Sequence, residues 1–278
     1  MEAERTTTPA QSAPPSGTPA PSTPLLATPP GAPPSASPAV PPPGAPLCAP
    51  PAAPPPVAPS CAPSAAPPGA RLVLATRNPG KLAELRAILA PLVPGLAPEA
   101  IISAAALDAP APVENGLTFA ANARIKARAL AEASGLPAVA DDSGLCVDVL
   151  GGAPGVFSAR WCGRHGDDDA NLRLLLAQIA DVADEHRGAR FTCAAVLVRP
   201  GAADDLVVER SMEGRILRSP RGGGGFGYDP VFVPAAEDAP GGAGRTTAQM
   251  SAREKNAISH RGRAFRALAP ALVELLAA

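Results

Sequence analysis

The sequence predicts an α/β domain over residues 71–278 behind a tail of very different composition, and two observations carry the prediction. Short apolar runs of strand length alternate with stretches whose apolar residues recur at helical spacing, which is the pattern of a sheet layered against helices. The first 70 residues share none of this: they hold 24 of the 38 prolines, no aromatic residue, and charge only at Glu2, Glu4 and Arg5. Such a segment cannot bury enough apolar surface to offset chain entropy, so residues 1–70 are expected to be disordered with polyproline II character. They lack the basic start and apolar core of a secretory signal, and no stretch of the chain has the length and apolarity of a membrane span. A spacer, or a translation start placed too early, is the expected explanation of the tail. Residues 71–278, 208 in all, suffice for one domain with a substantial core.

Leu72 to Ala75 reads as a buried strand, and Leu82, Leu85, Ile88 and Leu89 then mark a helix. The turn between them, Thr76, Arg77, Asn78, Pro79 and Gly80, leads into Lys81. A strand feeding a helix through a short polar turn aims the first amides of the helix beyond the strand end, where anions are favoured. The glycine spacing and Lys-Ser/Thr pair of a P-loop are missing, and an ordinary turn followed by a surface lysine has the same sequence. Thr118 to Ala133 reads as a helix capped by Thr118 and stopped near Gly135.

Pro137 to Ala140 is a second apolar run that ends in Asp141 and Asp142. Ser143-Gly144 reads as a turn before a further strand, Leu145 to Val149. Carboxylates at a strand end can hold Mg²⁺, which takes one or two carboxylates, several waters and substrate phosphate oxygens. An Asx-turn explains Asp-Asp-Ser-Gly as well. Asp169 to Ile179 reads as a helix with an acidic start, and Phe191 to Val198 and Leu206 to Val208 as strands.

Five glycines stand at positions 222, 223, 224, 225 and 227, ahead of Tyr228, Asp229 and Pro230. Glycine lets backbone approach a flat ligand, and Phe226 or Tyr228 offers a ring for stacking; the same aromatics would serve equally in a loop that returns to the core. Ser251-Ala252-Arg253-Glu254 is a capping box, so a helix begins there with Lys255 in its first turns, followed by His260 and Arg261. Cations on such a helix suit an anionic partner, although a solvated face has the same composition.

Other chemistries find little support. The five cysteines form no CxxC pair and the three histidines no HExxH motif, which argues against zinc; reduced thiols in a cytoplasmic protein are expected. A net charge of −1 with dispersed arginines gives no nucleic-acid face.

Taken together, Leu74 to Lys81, Gly116 to Lys126, Ala140 to Phe157, Gly222 to Pro230 and Ser251 to Gly262 resemble the inosine triphosphate pyrophosphatase family, which includes the dITP/XTP pyrophosphatases. The strings DDSGLCVDVLGGAPGVFSARW, GGFGYDPVF and EKNAISHRG carry the likeness. The resemblance implies an elongated mixed sheet flanked by helices, two lobes with a central cleft, and a homodimer. It implies Mg²⁺-dependent hydrolysis of ITP, dITP or XTP to the monophosphate and pyrophosphate. By position, Thr76, Arg77, Asn78, Pro79, Gly80 and Lys81 would hold phosphates, and Asp142 would be the catalytic carboxylate and a metal ligand. Ser143, Phe226, Gly227, Tyr228, Asp229, Lys255, His260 and Arg261 would contact substrate, with Phe226 stacked on the base and the His-Arg pair at its keto edge. Val113-Glu114-Asn115 stands where many members carry a glutamate pair, making Glu114 the candidate second ligand. Ala121-Asn122-Ala123 replaces Glu-Asn-Ala, and Arg77 a frequent glycine. A Maf-like pyrophosphatase for other modified nucleotides, or a nucleotide-binding protein without turnover, are the alternatives.

Overall fold

The computed structural model describes residues 66–77, 79–107 and 109–277; the tail, Asn78 and Asp108 lie outside the described residues. One mixed sheet of six strands organises the rest, in the order β2-β1-β3-β4-β5-β6. The strands are β1 (Leu72–Leu74), β2 (Ile101–Ser103), β3 (Ala138–Val147), β4 (Gly188–Val198), β5 (Leu206–Ile216) and β6 (Phe232–Pro234). β1 runs parallel to both β2 and β3, whereas β3, β4, β5 and β6 are successively antiparallel.

Strand alternation assigns the two faces. Leu72, Leu74, Val139, Cys193, Ala195 and Leu197 face one side, where α1 (Pro79–Leu89) and α6 (His260–Ala277) add Leu85, Leu89, Phe265, Leu268 and Leu272. Val73, Ala138, Ala140, Val196 and Val198 face the other side, covered by Ala123, Ala127, Leu130 and Ala131 of α2 (Phe119–Ser134). Small alanines along that face let α2 lie close to the sheet. Beyond the middle of β3 a separate core gathers Leu145, Val147, Met212 and Phe232 with Leu172 and Leu175 of α3 (Asp168–Gln178). The long strands thus run from the cores on the two faces into the separate one beyond, and the sheet is mixed and flanked by helices as the resemblance implied.

Several expected elements stand where the sequence placed them. Thr118 caps α2 by accepting from the Ala121 amide, and Gly135 closes it in the left-handed region at φ 68°. Ser251 and Glu254 form the expected capping box at α5 (Ala252–Ile258). β4 and β5 extend beyond the expected spans.

Two expectations need correction. Ser143-Gly144 is no turn: β3 is one ten-residue strand, with Asp141 to Gly144 in register with Ala195 to Thr192 of β4. Gly144 serves close packing instead, since a Cβ there would stand 2.3 Å from the Gly155 carbonyl oxygen and 2.8 Å from the Phe119 ring. His260 and Arg261 do not continue the helix of Lys255; α5 ends at Ile258, Ser259 is extended, and His260 starts α6.

Candidate active site

Because side chains alternate along β3, Asp141 and Asp142 point to opposite faces of the sheet. The pair therefore does not act as one dicarboxylate. Each carboxylate organises its own side, just beyond Leu74↔Val139, where the register of β3 with β1 ends.

On the α2 side Asp142 accepts from Lys126 Nζ at 2.9 Å and from the Asn122 amide at 3.3 Å. Lys126 also donates to Glu114 at 3.4 Å, so its ammonium bridges the two carboxylates. Asn122 and Lys126 are four residues apart and share one face of α2. Asn122 also accepts from the Gly116 amide at 2.8 Å, which fixes the segment behind Glu114. Burial raises the Asp142 carboxyl above the ordinary range, Lys126 opposes this, and Glu114 adds to it. Thr76 and Arg77 border a cavity of about 160 Å³ together with Glu114 and Lys126, and Arg77 donates to the Ala109 carbonyl at 2.9 Å.

On the α1/α6 side Asp141 is fully buried. Both its oxygens accept from Lys81 at 2.9 Å, and Oδ2 also accepts from Arg261 at 3.0 Å and from the Ser143 hydroxyl at 3.3 Å. Burial opposes this charge, but Lys81 and Arg261 outweigh it and hold the carboxyl far below the usual range. One carboxylate thus fixes the lysine at the start of α1 and the arginine at the start of α6. His260 is buried and stacks on Phe191 with ring centroids 5.1 Å apart; its Nδ1 has no hydrogen-bond partner among the described residues. Burial, then Arg261 and Lys255, keep its imidazole neutral.

The glycine-rich loop divides its two aromatics. Tyr228 is buried and donates its hydroxyl to the Ser158 carbonyl at 2.9 Å, returning to the core. Phe226 is 58% exposed, with the Lys255 ammonium 4.8 Å from its ring centroid. Asp229 is buried beneath the loop, where it pairs with Lys255 and accepts from the Phe226 amide at 2.8 Å and the Thr247 hydroxyl at 2.8 Å. Its contacts make Asp229 a scaffold for the neighbouring site residues.

A second cavity, of about 780 Å³, joins the α1/α6 side to the glycine-rich loop, a volume typical of small-molecule sites, while Glu114 and Lys126 border the smaller one. Gly80, Lys81, Ser143, Phe226, Gly227, Tyr228, Asp229, Lys255, His260 and Arg261 all border the larger cavity, so residues scattered over 180 positions of sequence converge. Pro79 begins α1. Sequence reasoning missed Lys126 and Glu84 as site residues. Glu84 lies three residues after Lys81 on α1 and borders the cavity, its Oε1 buried without a hydrogen-bond partner among the described residues. Burial raises its carboxyl, with Asp141 adding to the effect and Arg261 opposing it. Helical spacing from Lys81 and from Asn122 was the available signal for both.

Among the described residues no three His, Cys, Asp or Glu side chains gather as a metal cage. Asp142 and Glu114 nonetheless have the donor chemistry for Mg²⁺, which asks for few protein oxygens, and both carboxylates face the one Lys126 ammonium.

Comparison with known proteins identifies the family. The model of the Ham1 family matches residues 72–271. A dITP/XTP pyrophosphatase of Streptomyces coelicolor is 61% identical over 206 residues, covering 74% of this chain and 98% of its own; one from Bifidobacterium animalis subsp. lactis is 49% identical over 235 residues, with 74% and 98% covered. The crystal structure of a nucleoside-triphosphatase (dITP/XTP pyrophosphatase) from Mycobacterium abscessus superposes with a TM-score of 0.58 at 49% identity, over 72% of this chain and 99% of that one. A HAM1 protein structure from Coxiella burnetii gives a TM-score of 0.65 at 39% identity, over 74% and 99%. With the match running through the cores and across every described residue of the site, the chain belongs to the Ham1 family.

Proposed function

We propose that this chain hydrolyses deaminated purine nucleoside triphosphates such as ITP, dITP and XTP to the monophosphate and pyrophosphate. One observation carries the reading: the family match from residue 72 to 271 contains a cavity of about 780 Å³ bordered by the exposed Phe226 ring together with Lys81, Lys255 and Arg261. A purine nucleotide offers the matching parts, a flat base and anionic phosphates. The relatives named as dITP/XTP pyrophosphatases support the same substrate class.

In this reading the base stacks on Phe226, and Lys81, Lys126 and Lys255 offset phosphate charge. Asp142 orients a water toward the α-phosphorus and takes its proton as the new P–O bond forms and the bond to pyrophosphate breaks. Asp142 and Glu114 would hold Mg²⁺, which supplies further neutralisation of phosphate oxygens. Neutral His260 and charged Arg261 border the same cavity as Phe226 and are assigned to the edge of the base. An N–H there donates to the six-keto oxygen of hypoxanthine or xanthine, whereas the adenine amino group would be left unpaired at a cost of about 1–3 kcal/mol. The homodimer and cytoplasmic location implied by the resemblance belong to the same proposal, as does a catalytic domain confined to residues 71–278.

Product analysis tests the reaction type. With ITP and Mg²⁺ we expect inosine monophosphate and pyrophosphate in equal amounts; release of orthophosphate with the diphosphate left behind would refute the cleavage position.

A further inference from the structure

Phe226 is exposed at the cavity rim, so core packing does not fix its ring. Its backbone neighbours are also permissive: Gly225 and Gly227 both lie in the left-handed region, at φ 75° and 59°. Lys255 touches the ring face, and what holds the backbone that carries the ring is a pair of carboxylates that accept from two successive amides. Asp229, from the same turn, accepts from the Phe226 amide at 2.8 Å, and Asp168, from the first turn of α3, accepts from the Gly227 amide at 2.8 Å. Asp168 lies 59 positions away in sequence, on a helix packed into the core that also buries Tyr228, and it borders the same cavity.

We propose that Asp168 is a positioning residue for the base-stacking ring, tying the glycine-rich loop to α3 so that Phe226 presents its face to the cavity. The proposal rests on the nucleotide reading given above. An acidic residue at a helix start ordinarily serves the helix itself. Here that duty is covered by neighbours: Asp167 caps α3 by accepting from the Ala170 amide at 3.0 Å, and Asp169 pairs with Arg173 at 2.7 Å. Asp168 is thereby left to accept from the loop, and its charge makes that bond stronger than a neutral acceptor would. The contact is solvent-exposed, so its loss leaves the hydrophobic cores intact.

The test compares the full chain with Asp168→Ala, Asp168→Asn, Phe226→Ala and the Asp168→Ala/Phe226→Ala double variant, measuring KM and kcat for ITP. Removing Asp168 should raise KM about tenfold with little change in kcat, since a lost hydrogen bond to a charged acceptor here weakens ground-state and transition-state binding alike. Asp168→Asn keeps an acceptor oxygen and should recover most of the affinity. In the Phe226→Ala background, Asp168→Ala should have no further effect. A multiplicative double variant, or an unchanged KM in Asp168→Ala, would overturn the proposal. Hydrogen exchange of the amides in residues 222–228 gives a readout that needs no substrate. Faster exchange there in Asp168→Ala, with no turnover of ITP by the unaltered chain, would keep the tether and sink the nucleotide reading. Unchanged exchange would sink the tether whatever the turnover.

Discussion

At the scale of single residues, the site works by withholding charge from some groups and enforcing it on others. Asp141 stays ionised inside the protein because Lys81 and Arg261 surround it, while His260, one residue from that arginine, stays neutral. The histidine gives a pH signature. An unfolded chain takes up a proton on this imidazole near pH 6.5, whereas the folded chain refuses it, so the folded state binds fewer protons. Stability from this group is therefore complete above about pH 6.5 and is lost as pH falls below it. Against His260→Gln, which cannot titrate, the native chain should lose about 4–8 °C more in Tm between pH 7.5 and pH 5, measured without substrate. Parallel curves would mean that the imidazole protonates freely in the folded protein.

At the scale of elements, the decisive feature is a strand that continues where the sequence suggests a turn. Asp-Asp-Ser-Gly has turn composition, but β4 pairs with β3 through all four residues, and Ser158 accepts from the Leu145 amide just beyond them. Gly144 is required by what crosses above it and not by its own dihedral angles. Gly144→Ala should destabilise the protein by about 1–3 kcal/mol in urea unfolding, because the added methyl meets backbone and a ring that cannot withdraw. A variant as stable as the native chain would show that the segment around Gly155 moves aside.

Local chemistry was legible where it is self-contained. The caps of α2 and α5 and the apolar spacing of α1 are each set by residues within a few positions of one another. The opposite facing of Asp141 and Asp142 was not legible, since it depends on pairing with a strand some fifty residues later. The division of labour between Phe226 and Tyr228 was hidden for the same reason: the Ser158 carbonyl that takes the tyrosine hydroxyl is 70 positions away. Lys126 was within reach of helical periodicity, but its two carboxylate partners come from a loop and from β3.

At the scale of the whole molecule, every described site residue lies between Thr76 and Arg261, and the family model matches residues 72–271. A chain beginning at residue 66 should accordingly hydrolyse ITP with kcat/KM within about twofold of the full chain, a difference below ~0.5 kcal/mol. A loss of tenfold or more would assign residues 1–65 a part in catalysis.

The central claim joins a substrate class to one carboxylate, and a single assay tests both. Pyrophosphate release should be measured from ITP, XTP, dITP, GTP and ATP with Mg²⁺, comparing the native chain with Asp142→Asn. We expect rapid turnover of the first three and poor turnover of GTP and ATP. The variant should lose at least about a hundredfold in kcat, the scale of a missing general base. Turnover that favours GTP or ATP, or that persists in Asp142→Asn, would contradict the account.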